Sequence, residues 1–157
     1  MEKKDRKYLE KAIEISIKNI DEGGGPFGAV VVKEDQVIAS SGNHVTLSKD
    51  PTAHAEISAI REACKILGTF SLEGCTLYSS CEPCPMCLGA IYWARLDKLV
   101  FAASKEDAKD AGFDDSFIYE ELQAPMGERK IQTFQELREK ALEAFDKWKE
   151  MEDKTEY

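Results

Sequence analysis

The chain has 157 residues, with 30 acids against 21 bases for a net charge of −9, and its hydrophobic and charged shares of 43% and 32% suit one soluble globular domain. Glu2-Lys3-Lys4-Asp5-Arg6 follows Met1, which predicts neither a signal peptide nor a membrane span. No Lys/Arg run is clustered, so the acidic balance argues against a polynucleotide partner; three of the five cysteines fall within 81–87, too close for a disulfide framework, and fit reduced thiols in a cytoplasmic protein.

In chain order, residues 4–21 read as an amphipathic helix, with Tyr8, Ala12, Ile13, Ile15, Ile17 and Ile20 at roughly helical spacing. Gly23-Gly24-Gly25-Pro26 stops it. Phe27 to Val32 is a short apolar run rich in β-branched residues and predicts a buried strand; Glu34-Asp35 turns it into a second strand, Gln36 to Ser40. Ser41 to Thr52 reads as a polar loop. Asp50-Pro51 predicts an N-cap with proline at the first helical position, opening a helix that runs to about Leu67 and stops at Gly68. Its buried face is expected to carry Ile57, Ile60, Ala63, Cys64 and Leu67. Cys75 to Ser80 predicts a third strand, Cys84 to Arg95 a helix behind Pro83, and Lys98 to Ala103 a fourth strand. That order predicts an α/β sandwich with a largely parallel C-terminal half. Beyond Ser104 the chain turns acidic and helical, with breaks at Gly112 and Pro125-Met126-Gly127. A last amphipathic helix is expected over Gln135 to Met151, its apolar face (Leu137, Leu142, Phe145, Trp148) packed outside the domain or on another subunit.

The chemistry concentrates between His54-Ala55-Glu56 and Pro83-Cys84-Pro85-Met86-Cys87. One imidazole and two thiolates give three ligands, the set of a catalytic zinc whose fourth position stays open to water. Both half-sites fall at expected helix N-termini, where the partial positive charge favours thiolate. Glu56, two residues after the histidine, is the candidate to move the water's proton. Two other readings exist. A closed structural zinc site would need a fourth ligand, which His44 or Cys81 could supply. A redox pair would leave His54 and Glu56 without use.

The H-x-E…P-C-x-x-C pattern is the signature of zinc nucleobase deaminases, and the chain resembles the cytidine deaminase superfamily, more narrowly the small bacterial guanine deaminases. Asp50-Pro51-Thr52-Ala53-His54-Ala55-Glu56 and Pro83 to Cys87 are shared with tRNA adenosine deaminases and fix the chemistry alone. Gly25-Pro26-Phe27-Gly28-Ala29-Val30, Ala90 to Arg95, Ala111 to Tyr119 and the terminal Glu156-Tyr157 point to the guanine branch. The resemblance implies a three-layer α/β/α sandwich around a mixed sheet of about five strands. It implies one zinc per subunit on His54, Cys84 and Cys87, with Glu56 as proton shuttle. Asn43, on the loop after the second strand, would hydrogen-bond the base; Phe27 and Trp93 would stack on it or wall the pocket, with Ala55 also in contact; Asp115 would accept from the purine's ring N–H. It further implies a homodimer in which residues 126–157 are exchanged and Tyr157 lies over a neighbour's pocket.

On residue type alone, Asn43 after Gly42 equally suits an ordinary turn, Phe27 and Trp93 equally suit a core, and Asp114 and Asp115 equally suit a solvated loop. The reaction implied is hydrolytic attack at C2 of guanine, giving xanthine and ammonia. Adenine lacks the ring proton that Asp115 would accept, so a carboxylate there would disfavour it. The rivals are a tRNA-specific adenosine deaminase, which the −9 charge opposes, and a zinc-stabilised interaction module with no turnover.

Overall fold

The structure is a computed structural model that describes residues 3–157. Its elements run α1 (Lys3–Asp21), β1 (Gly25–Lys33), β2 (Gln36–Asn43), α2 (Val45–Ser48), α3 (Ala55–Leu67), β3 (Cys75–Cys81), α4 (Pro85–Trp93), β4 (Lys98–Ala103), α5 (Lys105–Asp110), α6 (Ser116–Gln123), a single 3-10 turn (Met126–Glu128) and α7 (Arg138–Glu150). The chain divides into two compact units, one running to Asp115 and one comprising Ser116–Tyr157.

In the first unit a four-stranded mixed sheet has the order β2-β1-β3-β4. β1 is antiparallel to both neighbours, and β3 is parallel to β4, with Val31 opposite Leu77 and Leu77 opposite Leu99. Alternation along the strands sends side chains to opposite faces. Val30, Val32 and Tyr78 meet Tyr8 and Ala12 of α1, while Ala29, Val31 and Leu77 meet Ala55, Ala59, Ile60 and Ala63 of α3 and Ile91 of α4. This is the expected three-layer α/β/α arrangement. Four strands form among the described residues where about five were expected: after β4, Ser104 and Asp107 form a reciprocal capping box that starts α5, and the acidic segment behind it holds no β-branched run.

The β1–β2 turn is the two-residue Glu34-Asp35, with both residues at positive φ (49° and 59°), the conformation that matches the twist of a tight hairpin. The buried stripe of α1 is not purely apolar. It includes Asp5, Ser16 and Asn19 beside Tyr8 and Ala12, while Ile17 and Ile20 are exposed, contrary to expectation. Asp5 is 2% exposed and accepts from the Tyr78 hydroxyl (2.8 Å) and from Lys98 Nζ (2.8 and 2.7 Å), tying α1 to β3 and β4.

Three boundaries differ from the sequence reading in ways that matter for the site. β2 continues to Asn43, whose partner is Gly25, so Asn43 closes a strand instead of lying on the loop after it. The polar stretch behind it contains the short helix α2. Asp50 does not cap α3: its carboxylate accepts from Thr52 N and Oγ1 (both 2.8 Å) in a local turn, and the helix starts four residues past Pro51, at Ala55. The C-terminal end stands as expected, at Gly68.

In the second unit, Arg129 Nε donates to Ala124 O (3.4 Å) and Lys130 N to a Glu121 carboxylate oxygen (2.9 Å), folding the 3-10 segment back on α6. α7 begins at Arg138, not Gln135, because Leu137 takes a left-handed conformation (φ 55°). None of its helical residues is buried.

Candidate active site

His54 and Cys84 occupy equivalent places. Each is the N-cap residue of a helix, α3 or α4, in extended conformation, and neither side chain caps its helix. The loop entering His54 is held by the Asp50 turn and by His44 N donating to Ala53 O (2.9 Å). The loop entering Cys84 is held by Glu82 N donating to Ala103 O (2.8 Å) and by the Glu82 carboxylate accepting from Lys105 N (3.1 Å). Two segments 30 residues apart in sequence are thereby each held in place, and they meet at His54 and Cys84.

His54 Nδ1 lies 3.6 Å from Cys84 Sγ and 3.5 Å from Cys87 Sγ, and the three ligand atoms all fall within 4.8 Å of one another. A tetrahedral zinc with Zn–S near 2.3 Å and Zn–N near 2.0–2.1 Å separates its sulfur and nitrogen ligands by about 3.6 Å. The spacing therefore fits the ion. Electrostatics agree. Without a cation, the Cys84 thiol is held down at about 4 by hydrogen bonds from Cys87 and His54, against the cost of burial. Its thiolate raises His54 in turn, and with burial pushes Cys87 well up. Protons crowd where a dication would replace them. Among the described residues neither His44 nor Cys81 joins the group; Cys81 Sγ instead contacts Ser104 O at 3.5 Å. The closed structural site thus lacks its fourth ligand.

Glu56, in the first turn of α3, is 5% exposed. One carboxylate oxygen, Oε1, accepts from Ser79 Oγ (3.2 Å), and Oε2 faces Cys87 Sγ (3.5 Å). Burial raises its pKa, with the negative charge on Cys84 adding to the shift. A carboxylate reluctant to stay ionised, placed against three metal-type ligands, suits repeated uptake and release of a proton.

The remaining expected residues distribute unevenly. Ala55 follows His54 directly and is fully buried. Asn43 is 8% exposed; its Oδ1 accepts from Val45 N (3.2 Å), which orients the amide, and its carbonyl accepts from Asn19 Nδ2 (2.8 Å). Phe27 is half-buried and meets Phe113 edge-on, ring centroids 4.9 Å apart. That contact ties β1 to the loop bearing Asp115. Asp115 is partly buried and raised, first by desolvation and then by the Cys84 charge. Trp93, the last residue of α4, is 66% exposed, and Tyr157, in the second unit, is 72% exposed. Sequence reasoning missed Ser79 and Asn19. Their signal was a polar residue at a position the periodicity of the strand or helix assigns to the buried side, a signal each shares with its neighbours Ser80 and Ser16. Asn19 Nδ2 also reaches Gly25 O (2.7 Å), and a Cβ on Gly42 would stand 2.1 Å from Asn19 Oδ1, so any larger residue there would push the Asn19 amide off its bonds.

Residues 2–103 match the cytidine and deoxycytidylate deaminase zinc-binding region. The chain is 52% identical over 151 residues to a guanine deaminase of Bacillus subtilis, covering 96% of this chain and 97% of that protein. It superposes on an X-ray structure of guanine deaminase from the same organism with a TM-score of 0.95 at 50% identity, covering 100% of this chain and 99% of the other. A tRNA-specific adenosine deaminase of Aquifex aeolicus is 45% identical over 96 residues, covering 61% of this chain and 64% of that protein.

Proposed function

The chain belongs to the cytidine and deoxycytidylate deaminase family, and from that premise we propose that it catalyses zinc-dependent hydrolytic deamination of guanine to xanthine and ammonia. The observation that carries this reading is the extent of the match. Similarity to the guanine deaminase runs over 96% of the chain, while similarity to the tRNA deaminase runs over 61%. The −9 charge also disfavours gripping an RNA hairpin.

In this reading His54, Cys84 and Cys87 would hold the zinc, which when bound would polarise a water for attack and lower its pKa. Glu56 takes one proton from the water as its oxygen bonds to C2 and gives that proton to ring nitrogen N3; it then takes the proton of the new C2 hydroxyl and gives it to the amino nitrogen, so that the C2–N bond breaks, ammonia leaves and the C2 carbonyl of xanthine forms. Asn43 donates its amide to the base, and Asp115 accepts from the ring N–H. Phe27 and Trp93 wall the purine, and Ala55 lies against it. Burial around Glu56 keeps competing water away from the transfer.

The same reading makes the protein a cytoplasmic homodimer that exchanges residues 126–157, with Tyr157 over the neighbour's pocket. It is supported by the second unit's apolar side chains, of which Phe134, Ile131 and Leu137 are 81%, 78% and 74% exposed and available to a partner surface. No helix among the described residues is long and apolar enough to cross a membrane.

The test is to incubate purified protein with guanine, adenine, cytosine, cytidine and a tRNA anticodon hairpin, following ammonia release and zinc content together. Guanine alone should yield ammonia in proportion to zinc loading. Ammonia from a tRNA anticodon hairpin but not from guanine would overturn the assignment.

A further inference from the structure

We infer that Ser79 is a positioning residue for proton transfer, fixing the Glu56 carboxylate so that Oε2 faces the His54, Cys84 and Cys87 cluster; this rests on the deaminase reading above. Ser79 lies in β3, whose residues from Leu77 to Cys81 are all buried, and is 2% exposed. Burying a hydroxyl there is costly where a β-branched apolar side chain would serve the strand better. The neighbouring Ser80 has a backbone partner, accepting from Gly28 N at 3.0 Å across the β1–β3 pair. The Ser79 hydroxyl instead donates to Glu56 Oε1 at 3.2 Å. A carboxylate on a helical Glu side chain can rotate about its last bond, and the two oxygens would otherwise exchange. With Oε1 held by Ser79, Oε2 is left 3.5 Å from Cys87 Sγ, on the side where the ligand atoms converge. The two oxygens thus have separate tasks: one anchors, the other moves the proton.

A purely structural Ser79, one that satisfied a buried carboxylate only to let the chain fold, predicts different kinetics. The experiment compares Ser79→Ala, Ser79→Thr and Ser79→Val, with Glu56→Gln and the Glu56→Gln/Ser79→Ala double variant, measuring kcat, KM for guanine and zinc content. The expected result is a fall in kcat of about 10- to 100-fold for the alanine and valine variants, with KM and zinc content within about twofold of the parent. Threonine, which matches valine in shape but keeps the hydroxyl, should retain activity. In the Glu56→Gln background, removing Ser79 should cost nothing further, because the partner through which it acts is already gone. The inference is overturned if the alanine variant turns over at the parental rate, if kcat falls only with zinc loss or a parallel change in KM, or if threonine is as impaired as valine. It is likewise overturned if the serine contributes the same factor with and without Glu56. Should the alanine variant not fold, the threonine–valine pair decides alone. A Glu56→Gln protein working at the parental rate would remove the shuttle itself, a result distinguishable from a failure confined to Ser79.

Discussion

Replacing Glu56 by glutamine separates what this side chain does for the reaction from what it does for the fold. The substitution keeps volume and can keep a partner, since the Ser79 hydroxyl can turn to donate to the amide oxygen or accept from the amide nitrogen. What it removes is a titrating oxygen beside Cys87. General acid–base catalysis contributes about 10² to 10⁴, and Glu56 would serve at more than one step, so kcat should fall at least about 10³-fold, about 4 kcal/mol of barrier. Stability should move the other way. Desolvation raises the Glu56 pKa, so over the window between its ordinary value and the raised one the folded metal-free protein holds a proton that the unfolded chain has lost. Stability of the metal-free protein then falls as pH rises through that window. Glutamine lacks this dependence, so metal-free Glu56→Gln should melt no lower than the parent at neutral pH, with a flatter pH profile. Steady-state guanine turnover, zinc by atomic absorption and thermal melts across pH test all three. A variant retaining more than a tenth of the parental kcat with full zinc would refute the role; one that loses zinc or unfolds would refute the claim that Glu56 is catalytic without being structural.

Zinc uptake at pH 7 should release about one proton or more, because metal-free Cys87 stays protonated against the Cys84 thiolate; calorimetry in buffers of differing ionisation enthalpy measures this, and no release would contradict the described electrostatics. Asp115→Asn should keep zinc and fold but lower kcat/KM for guanine by about 10²-fold or more, since a ring N–H would then lack its charged acceptor; parental activity would remove Asp115 from recognition. Asp5→Asn should cost about 2–3 kcal/mol, discounted because Lys98 is half in solvent, and lower Tm by about 5–10 °C without changing kcat at 25 °C. A change in kcat there would mean that the clamp of α1 reaches the site.

The grouping of His54, Cys84 and Cys87 with Glu56 beside them was legible because the proposed chemistry restricts both residue type and spacing: two cysteines three apart at a helix start and a glutamate two after a histidine allow few other arrangements. Strand positions were legible because apolar β-branched runs such as Ala29 to Val32 have few alternatives. Starts of polar segments were not. Asp50-Pro51 carries the usual capping pattern, yet the Thr52 amide and hydroxyl compete successfully for the same carboxylate and move the helix start to Ala55. Burial of Asp5, Ser16 and Asn19 was hidden for a related reason. A stripe is read by its apolar members; Asp5 and Asn19 are recognisable only when their partners, Tyr78 and Asn43 O, are brought in by the fold, while Ser16 satisfies its hydroxyl locally on Ile13 O one turn back.

The later helix start has its own consequence for the metal. His54 and Cys84 sit at positions where Ser, Thr or Asp would each contribute about 0.5–2 kcal/mol by capping, and neither side chain caps. Two adjacent helix termini are therefore left under-stabilised, pointing at the ligand cluster with their positive ends toward two sulfurs. A dication held by those sulfurs would link α3 to α4 and offset the missing caps. Chelation should accordingly lower Tm while leaving the α1-side core intact, with hydrogen exchange rising first in residues 54–58 and 84–88. Uniform loss of protection over the whole sheet would show instead that the metal is required for the whole fold, and would refute a contribution confined to the starts of α3 and α4.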